Sequence, residues 1–185
     1  MTLKDMMYVS LFAAIMGVLA FFPPIPIPFI PVPITTQTLG VMLAGGILGA
    51  RRGGLSLLLF IILVAIGAPL LAGGRGGLGV LIGPSGGYIL AWPIAAWLIG
   101  YLTEKNIRTL HFWKVALFNI IGGILVVYVI GVTYLSILSD LPWWPTAISG
   151  LVFLPGDLVK VFIASFIIVK IHCAYPMIDK TREAA

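Results

Sequence analysis

Phe153-Leu154-Pro155-Gly156-Asp157-Leu158-Val159-Lys160 opens the last apolar segment of the chain, and Val161 to Val169 continues it with Ser165 as its only polar residue. A carboxylate and an ammonium therefore stand at the head of what reads as a membrane-spanning helix. A charge well inside a bilayer costs about 2.5–3.5 kcal/mol on insertion scales. Residues three apart share one helical face and can pair. Pro155 suits the first position of a helix, which places Asp157 in the first turn, near the positive end of the helix dipole. Lys160 then lies only about 8 Å below the helix start. Such a pair is either a tolerated structural lock or a ligand site. Its own chemistry leaves both readings open.

The 185 residues are 61% hydrophobic and only 9% charged, against roughly 25% charged residues in soluble domains. The chain therefore reads as an all-α integral membrane protein. Residues 1–185 contain no linker or low-complexity tract, which points to a single transmembrane domain. A span needs about 20 apolar residues. Six candidates appear: Met6 to Phe22, Thr38 to Ala50, Gly54 to Leu71, Pro84 to Leu102, Lys114 to Leu138 and Pro155 to His172. The first follows Lys4 as a signal peptide would. No small-residue cleavage site closes it, so it reads as a retained helix. Cys173 is the single cysteine, which excludes an internal disulfide.

The cations set the topology. Lys4, Arg51, Arg52, Lys105, Arg108, Lys114, Lys170, Lys180 and Arg182 all fall on one side of six alternating spans, and only Arg75 and Lys160 fall on the other. By the positive-inside rule both termini are cytoplasmic. The net charge of +5 is thus explained by topology and calls for no nucleic-acid partner. Membrane lipid is the expected surrounding.

This arrangement gathers the reactive side chains on the outer side. They are Thr35-Thr36-Gln37-Thr38 before the second span, Arg75, Ser85 and Tyr88 at the head of the fourth, and Asp157 and Lys160. The second span is short, and short or interrupted helices adjoin cavities. Before it, Pro23, Pro24, Pro26, Pro28, Pro31 and Pro33 alternate with apolar residues. The run reads as an extended polyproline II strap, either a lid over a cavity or a rigid connector. Gly74-Arg75-Gly76-Gly77-Leu78-Gly79 matches G-x-G-x-x-G only formally, because it sits between two spans and not in a βαβ unit.

Catalysis and metal binding find no support. His111 and His172 map to the cytoplasmic interface, and no paired carboxylates, zinc-protease motif or phosphate-binding loop occurs. No cofactor is expected. Small residues at Ser10, Ala13, Ala14, Gly17 and Ala20 stripe the first span, which permits close helix approach. Ala13 and Gly17 mark it as the best surface for docking another membrane subunit.

Four ordered segments resemble the BioY family of biotin-specific substrate-binding (S) components of energy-coupling-factor vitamin transporters. They are Pro-Phe-Ile-Pro-Val-Pro-Ile-Thr-Thr-Gln-Thr-Leu-Gly (28–40), Ala-Gly-Gly-Arg-Gly-Gly (72–77), Gly-Pro-Ser-Gly-Gly-Tyr (83–88) and Leu-Pro-Gly-Asp-Leu-Val-Lys (154–160). Ser85 stands where threonine is expected, which keeps the hydroxyl. Ile30 stands where the family often has threonine, which removes a polar contact. The resemblance implies a six-helix S-component fold with an outward-facing pocket for biotin in the cytoplasmic membrane. It also implies a transmembrane coupling subunit and two cytoplasmic ATPase subunits as partners, with the first helix as docking face. It assigns the family's acid and base to Asp157 and Lys160. Biotin's ureido group has two N–H donors and a carbonyl acceptor, which an acid and a base can meet. Gln37, Ser85 and Tyr88 are further candidates, and Arg75 is a candidate for the carboxylate tail. An S component for another vitamin, or a stand-alone small membrane transporter, is the alternative.

Overall fold

The structure is a computed structural model that describes residues 2–28, 30–174 and 178, with the side chains of Ile30 and Pro31 left aside. Phe29 of the first motif and the cations Lys180 and Arg182 lie outside the described residues.

Six longer helical runs form the body: α1 (Leu3–Leu19), α2 (Gln37–Leu48), α3 (Ala50–Ala65), α5 (Gly86–Lys105), the run α6–α7, and α9 (Leu154–Ala174). In the run, α6 (Phe112–Asn119) passes through a π-helical segment, Ile120–Val126, into α7 (Val127–Leu138). Two short helices intervene, α4 (Leu78–Ile82) and α8 (Trp143–Gly150). Among the described residues, three runs have the length and composition to cross a membrane: Gly86–Lys105, Phe112–Leu138 and Trp143–Ala174. The interior is close-packed around Phe60, Met16, Met42, Leu57, Ile99 and Ile168. The outside is also apolar: Ile62, Trp97, Leu117, Leu125, Phe162 and Phe166 are exposed. An apolar girdle of this extent suits a lipid surrounding and not water.

Local chemistry explains the helix ends. Thr2 and Asp5 form a capping box on α1, with the Asp5 N–H donating to Thr2 Oγ1 at 3.3 Å and the Thr2 N–H to Asp5 Oδ2 at 2.8 Å. Asp5 also pairs with Arg52 at 2.6 Å, tying the starts of α1 and α3. Gly49 alone separates α2 from α3, with φ +84°. That left-handed conformation favours glycine. Glu104 Oε1 then accepts the Ala50 N–H at 2.8 Å, so a carboxylate from α5 satisfies a free donor at the α3 start.

The third span begins and ends earlier than its apolar run suggests. Gly53 lets α3 approach α2, since a Cβ there would lie 2.8 Å from the Ala44 carbonyl oxygen, and Gly54 faces α5, where a Cβ would lie 3.3 Å from Trp97 Cβ. The helix stops at Ala65 because Gly67 takes φ +104° and Pro69 disfavours helix at Ala68.

The proline run is not a polyproline II strap. It folds as an antiparallel hairpin of β1 (Ile25–Ile27) and β2 (Ile30–Ile34), pairing Ile25 with Ile34 and Ile27 with Ile30. The paired residues are all isoleucine. Pro26, Pro31 and Pro33 occupy the intervening positions, and the register shifts between Ile25 and Ile27; edge strands and bulges are where proline is tolerated in a sheet. Val32 packs with Leu135 and Phe153, which seats the hairpin on α7 and the head of α9. The Trp143-Trp144 pair belongs to α8, which folds back on α7, and Trp143 Nε1 donates to Thr133 Oγ1 at 3.2 Å.

Candidate ligand-binding site

Asp157 lies in the first turn of α9 and is 5% exposed. Its Oδ1 accepts from Lys160 Nζ at 2.7 Å, so the acid and base do pair. The pair is not alone. Thr38, in the first turn of α2, accepts from Lys160 Nζ at 2.9 Å and donates to Asp157 Oδ1 at 3.4 Å. Tyr128, at the start of α7, donates its hydroxyl to Asp157 Oδ2 at 2.6 Å. Both carboxylate oxygens are thus held by donors from three helices. Taking two charges out of water is costly unless hydrogen bonds surround them, and here they do.

Gln37 is 1% exposed, and its carboxamide is already committed. Nε2 donates to the Met16 carbonyl at 3.2 Å and the Leu70 carbonyl at 3.0 Å, while Oε1 accepts the Ala72 N–H at 3.2 Å. Gln37 thus joins α1, α2 and the glycine-rich loop at the cavity wall. Its neighbour Thr36 adds a bond from Oγ1 to the Leu19 carbonyl at 2.7 Å.

The glycine-rich loop makes a tight turn. Leu71 and Arg75 exchange backbone bonds of 3.0 and 3.2 Å across Gly73 and Gly74, both at positive φ. That turn sets Arg75 at the mouth, exposed, with Nε donating to the Ala72 carbonyl at 3.2 Å. Ser85 is buried at the α5 start, and its hydroxyl makes no hydrogen bond among the described residues. One turn on, the Tyr88 ring meets Tyr128 edge-on, with centroids 6.5 Å apart. Tyr128 meets Phe153 the same way, also at 6.5 Å.

Gln37, Arg75, Ser85, Tyr88, Asp157 and Lys160 all line one cavity, roofed by Val32, Pro33, Ile34 and Thr35 from the hairpin. It holds about 650 Å³ of empty space, mouth included. The walls are aromatic and aliphatic, with a few polar groups, which is the usual character of a small-molecule site. Among the described residues no group of histidine, cysteine, aspartate and glutamate could hold a metal.

Tyr128 was not singled out by the sequence, and Thr38 was placed among the outer polar groups without a role of its own. A tyrosine in the apolar run 120–132 gave one faint signal, since a buried phenol needs a partner. Ala13 and Gly17 lie elsewhere than expected. Both are buried, with a Cβ on Gly17 reaching 3.1 Å from Leu70. The outward face of α1 carries Ser10, Leu11, Ala14 and Val18 instead. The reason is phase: 13 and 17 share the inner side with Phe12 and Met16.

A sequence profile of the BioY family matches residues 1–177. This chain belongs to the BioY family. The "Biotin transporter BioY" of Rhizobium etli is 40% identical over 186 residues, covering 96% of this chain and 98% of that one. The "Probable biotin transporter BioY" of Bacillus subtilis is 44% identical over 177 residues, covering 96% and 95%. A crystal structure at 2.1 Å of the S-component for biotin from an ECF-type ABC transporter matches with a TM-score of 0.88 and 37% identity, over 94% of this chain and 95% of that one. Family and fold together make this chain a multi-pass membrane transport component and not an enzyme.

Proposed function

We propose that this chain captures biotin from outside the cytoplasmic membrane, as the substrate-specificity subunit of an ATP-driven energy-coupling-factor transporter. The observation that carries the reading is the hydrogen-bonded Asp157–Lys160 pair inside an otherwise apolar cavity, in a chain whose BioY relatives are biotin transporters. Asp157 accepts the ureido N–H groups. Lys160 pairs with Asp157 and offers its remaining N–H to the ureido carbonyl. Ser85 and Tyr88 border the bicyclic ring, and Arg75 meets the carboxylate tail at the mouth. The bound ligand needs no cofactor.

The chain acts as one domain with six spans and cytoplasmic termini. The cation distribution supports this, and so do the six longer helical runs. The partners are a transmembrane coupling subunit and two cytoplasmic ATPases. A partner meeting α1 touches Ser10, Leu11, Ala14 and Val18, since Ala13 and Gly17 are occupied inside.

Calorimetric titration of the purified subunit with biotin, without ATP, tests the reading. Saturable binding of biotin, and not of other vitamins in a panel, is expected. Preference for a different vitamin would replace biotin as the substrate. Binding of none, with no co-purifying ATPase partner, would favour the stand-alone transporter.

A further inference from the structure

Helices α3 and α5 pack closely and leave one flank bare. The other flank is filled by α2: a Cβ on Gly53 would meet the Ala44 carbonyl, and one on Gly45 would meet the Ala96 carbonyl. α1 reaches α3 through Asp5 and Tyr8, which both meet Arg52. The two helices close on each other at Gly54, beside Trp97, and at Gly100, beside Ala50. They therefore run antiparallel, and α3 begins where α5 ends. On the bare flank Leu58 and Ile62 of α3, and Leu90 and Ile94 of α5, are 44–52% exposed. They form an apolar lane down the outside of the bundle.

The lane ends in charge. At about 100° per residue, Arg51 falls on the same flank of α3 as Leu58 and Ile62, and Trp97, Tyr101 and Lys105 fall on the same flank of α5 as Leu90 and Ile94. Arg51 is in the first turn of α3 and Lys105 is the last residue of α5, so both stand at one end of the lane, and both are exposed. The Trp97 and Tyr101 rings stack with centroids 5.4 Å apart and planes 10° from parallel, and Lys105 Nζ lies 4.6 Å from the Tyr101 centroid. Tryptophan and tyrosine in such a position mark the level where hydrocarbon gives way to headgroups. Neither Arg51 nor Lys105 pairs with a carboxylate among the described residues. The carboxylates at this end are engaged elsewhere: Glu104 accepts the Ala50 N–H at 2.8 Å, and Asp5 pairs with Arg52.

A guanidinium and an ammonium at headgroup level, above a lane of exposed apolar side chains, match an anionic headgroup with its chains attached. We propose that this face holds one anionic phospholipid, with its phosphate between Arg51 and Lys105 and its acyl chains along Leu58, Ile62, Leu90 and Ile94. A second copy of this chain fits less well, because a symmetric contact in the membrane would bring the two cation pairs together. The ligand cavity takes Ser85 and Tyr88 from the opposite end of α5. The lipid site thus stands on the membrane setting and is independent of what the cavity binds.

Native mass spectrometry of the full chain, with phosphatidylglycerol and phosphatidylcholine of identical acyl chains added to the micelles, tests the proposal. One phosphatidylglycerol should be retained, at a roughly tenfold lower concentration than phosphatidylcholine, and the double substitution R51Q/K105Q should erase that preference. Equal retention of the two lipids, or a preference untouched by the double substitution, would overturn the site. Glycerol 3-phosphate, which has the phosphate without the chains, should not displace the lipid at equal concentration; displacement would reveal a site for soluble phosphate instead. A dimer that R51Q/K105Q dissolves would make this face a contact between copies and likewise overturn the lipid. A thermal melt reports folding of each variant. If the double variant does not fold, Lys105→Gln alone decides, with an expected loss of roughly threefold in the preference.

Discussion

Replacing Asp157 by asparagine removes one charge and one acceptor from the best-connected point of the cavity. In the free protein Asp157 accepts from Lys160 at 2.7 Å, from Thr38 at 3.4 Å and from Tyr128 at 2.6 Å. Asparagine keeps a single acceptor oxygen. It can satisfy Lys160 through that oxygen and turn its amide toward the tyrosine hydroxyl, which also accepts. The fold therefore survives, but Lys160 loses its counter-charge at 13% side-chain exposure. Removing one partner of a buried pair costs about 3–5 kcal/mol in full burial. Here Lys160 is only about 9 Å from the helix start and can extend toward the mouth, so a smaller loss of stability is expected. Binding suffers more. Hydrogen bonds to a charged group contribute about 1.5–3 kcal/mol each, and the ureido group makes up to two of them to Asp157. Losing about 3 kcal/mol raises the Kd by more than 100-fold. Isothermal titration in detergent or nanodiscs reads the change, and a thermal melt of the empty variant reports folding. Adding Lys160→Met should recover stability without recovering affinity. A folded Asp157→Asn variant that binds biotin within threefold of the unaltered protein would refute the role given to the carboxylate.

Other expectations follow from neighbouring contacts. Tyr128→Phe removes the donor on Oδ2 and keeps the ring against Tyr88 and Phe153, so affinity should fall about tenfold with little change in the melt; an unchanged titration would leave the tyrosine a packing residue. Glycine or serine at Pro26, Pro28 and Pro33 loosens the hairpin over the cavity, and biotin release followed by stopped flow should quicken severalfold; an unchanged off-rate would make the hairpin a passive wall. Gly49→Ala forces a side chain into a left-handed turn against Glu104 and should lower stability by about 1–2 kcal/mol, seen as a lower melting temperature. Cys173 is exposed near the end of α9 and is the only thiol, so a membrane-impermeant maleimide should label it in inside-out vesicles and not in intact cells. Labelling in intact cells would reverse the proposed topology.

The body of the fold was legible because lipid demands long apolar runs, and such runs leave little choice but helix. The acid and base were legible for the same reason, since charges in apolar helices stand out. Details that depend on tertiary partners were not. The hairpin was hidden because the spacing of Pro26, Pro28, Pro31 and Pro33 suits polyproline II as well as an edge strand; only Leu135 and Phe153, distant in sequence, decide. The end of α3 was hidden because Ile66, Ala68 and Leu70 are as apolar as the helix before them. Gln37 was correctly placed at the cavity wall, but its three bonds go to backbone groups of residues 16, 70 and 72, which no spacing rule anticipates. Ala13 and Gly17 show the limit of a small-residue stripe: it marks close approach and does not say to whom.

The central claim is that the outward cavity recognises a ureido ring through the pair at the head of α9. A structure of the biotin-loaded subunit tests it most directly. It should place the ureido N–H groups within hydrogen-bond distance of the Asp157 carboxylate, with the valeryl tail running toward Arg75 and the mouth. Biotin bound outside this cavity, or seated with its carboxylate against Lys160 and its ureido ring at the mouth, would contradict the account.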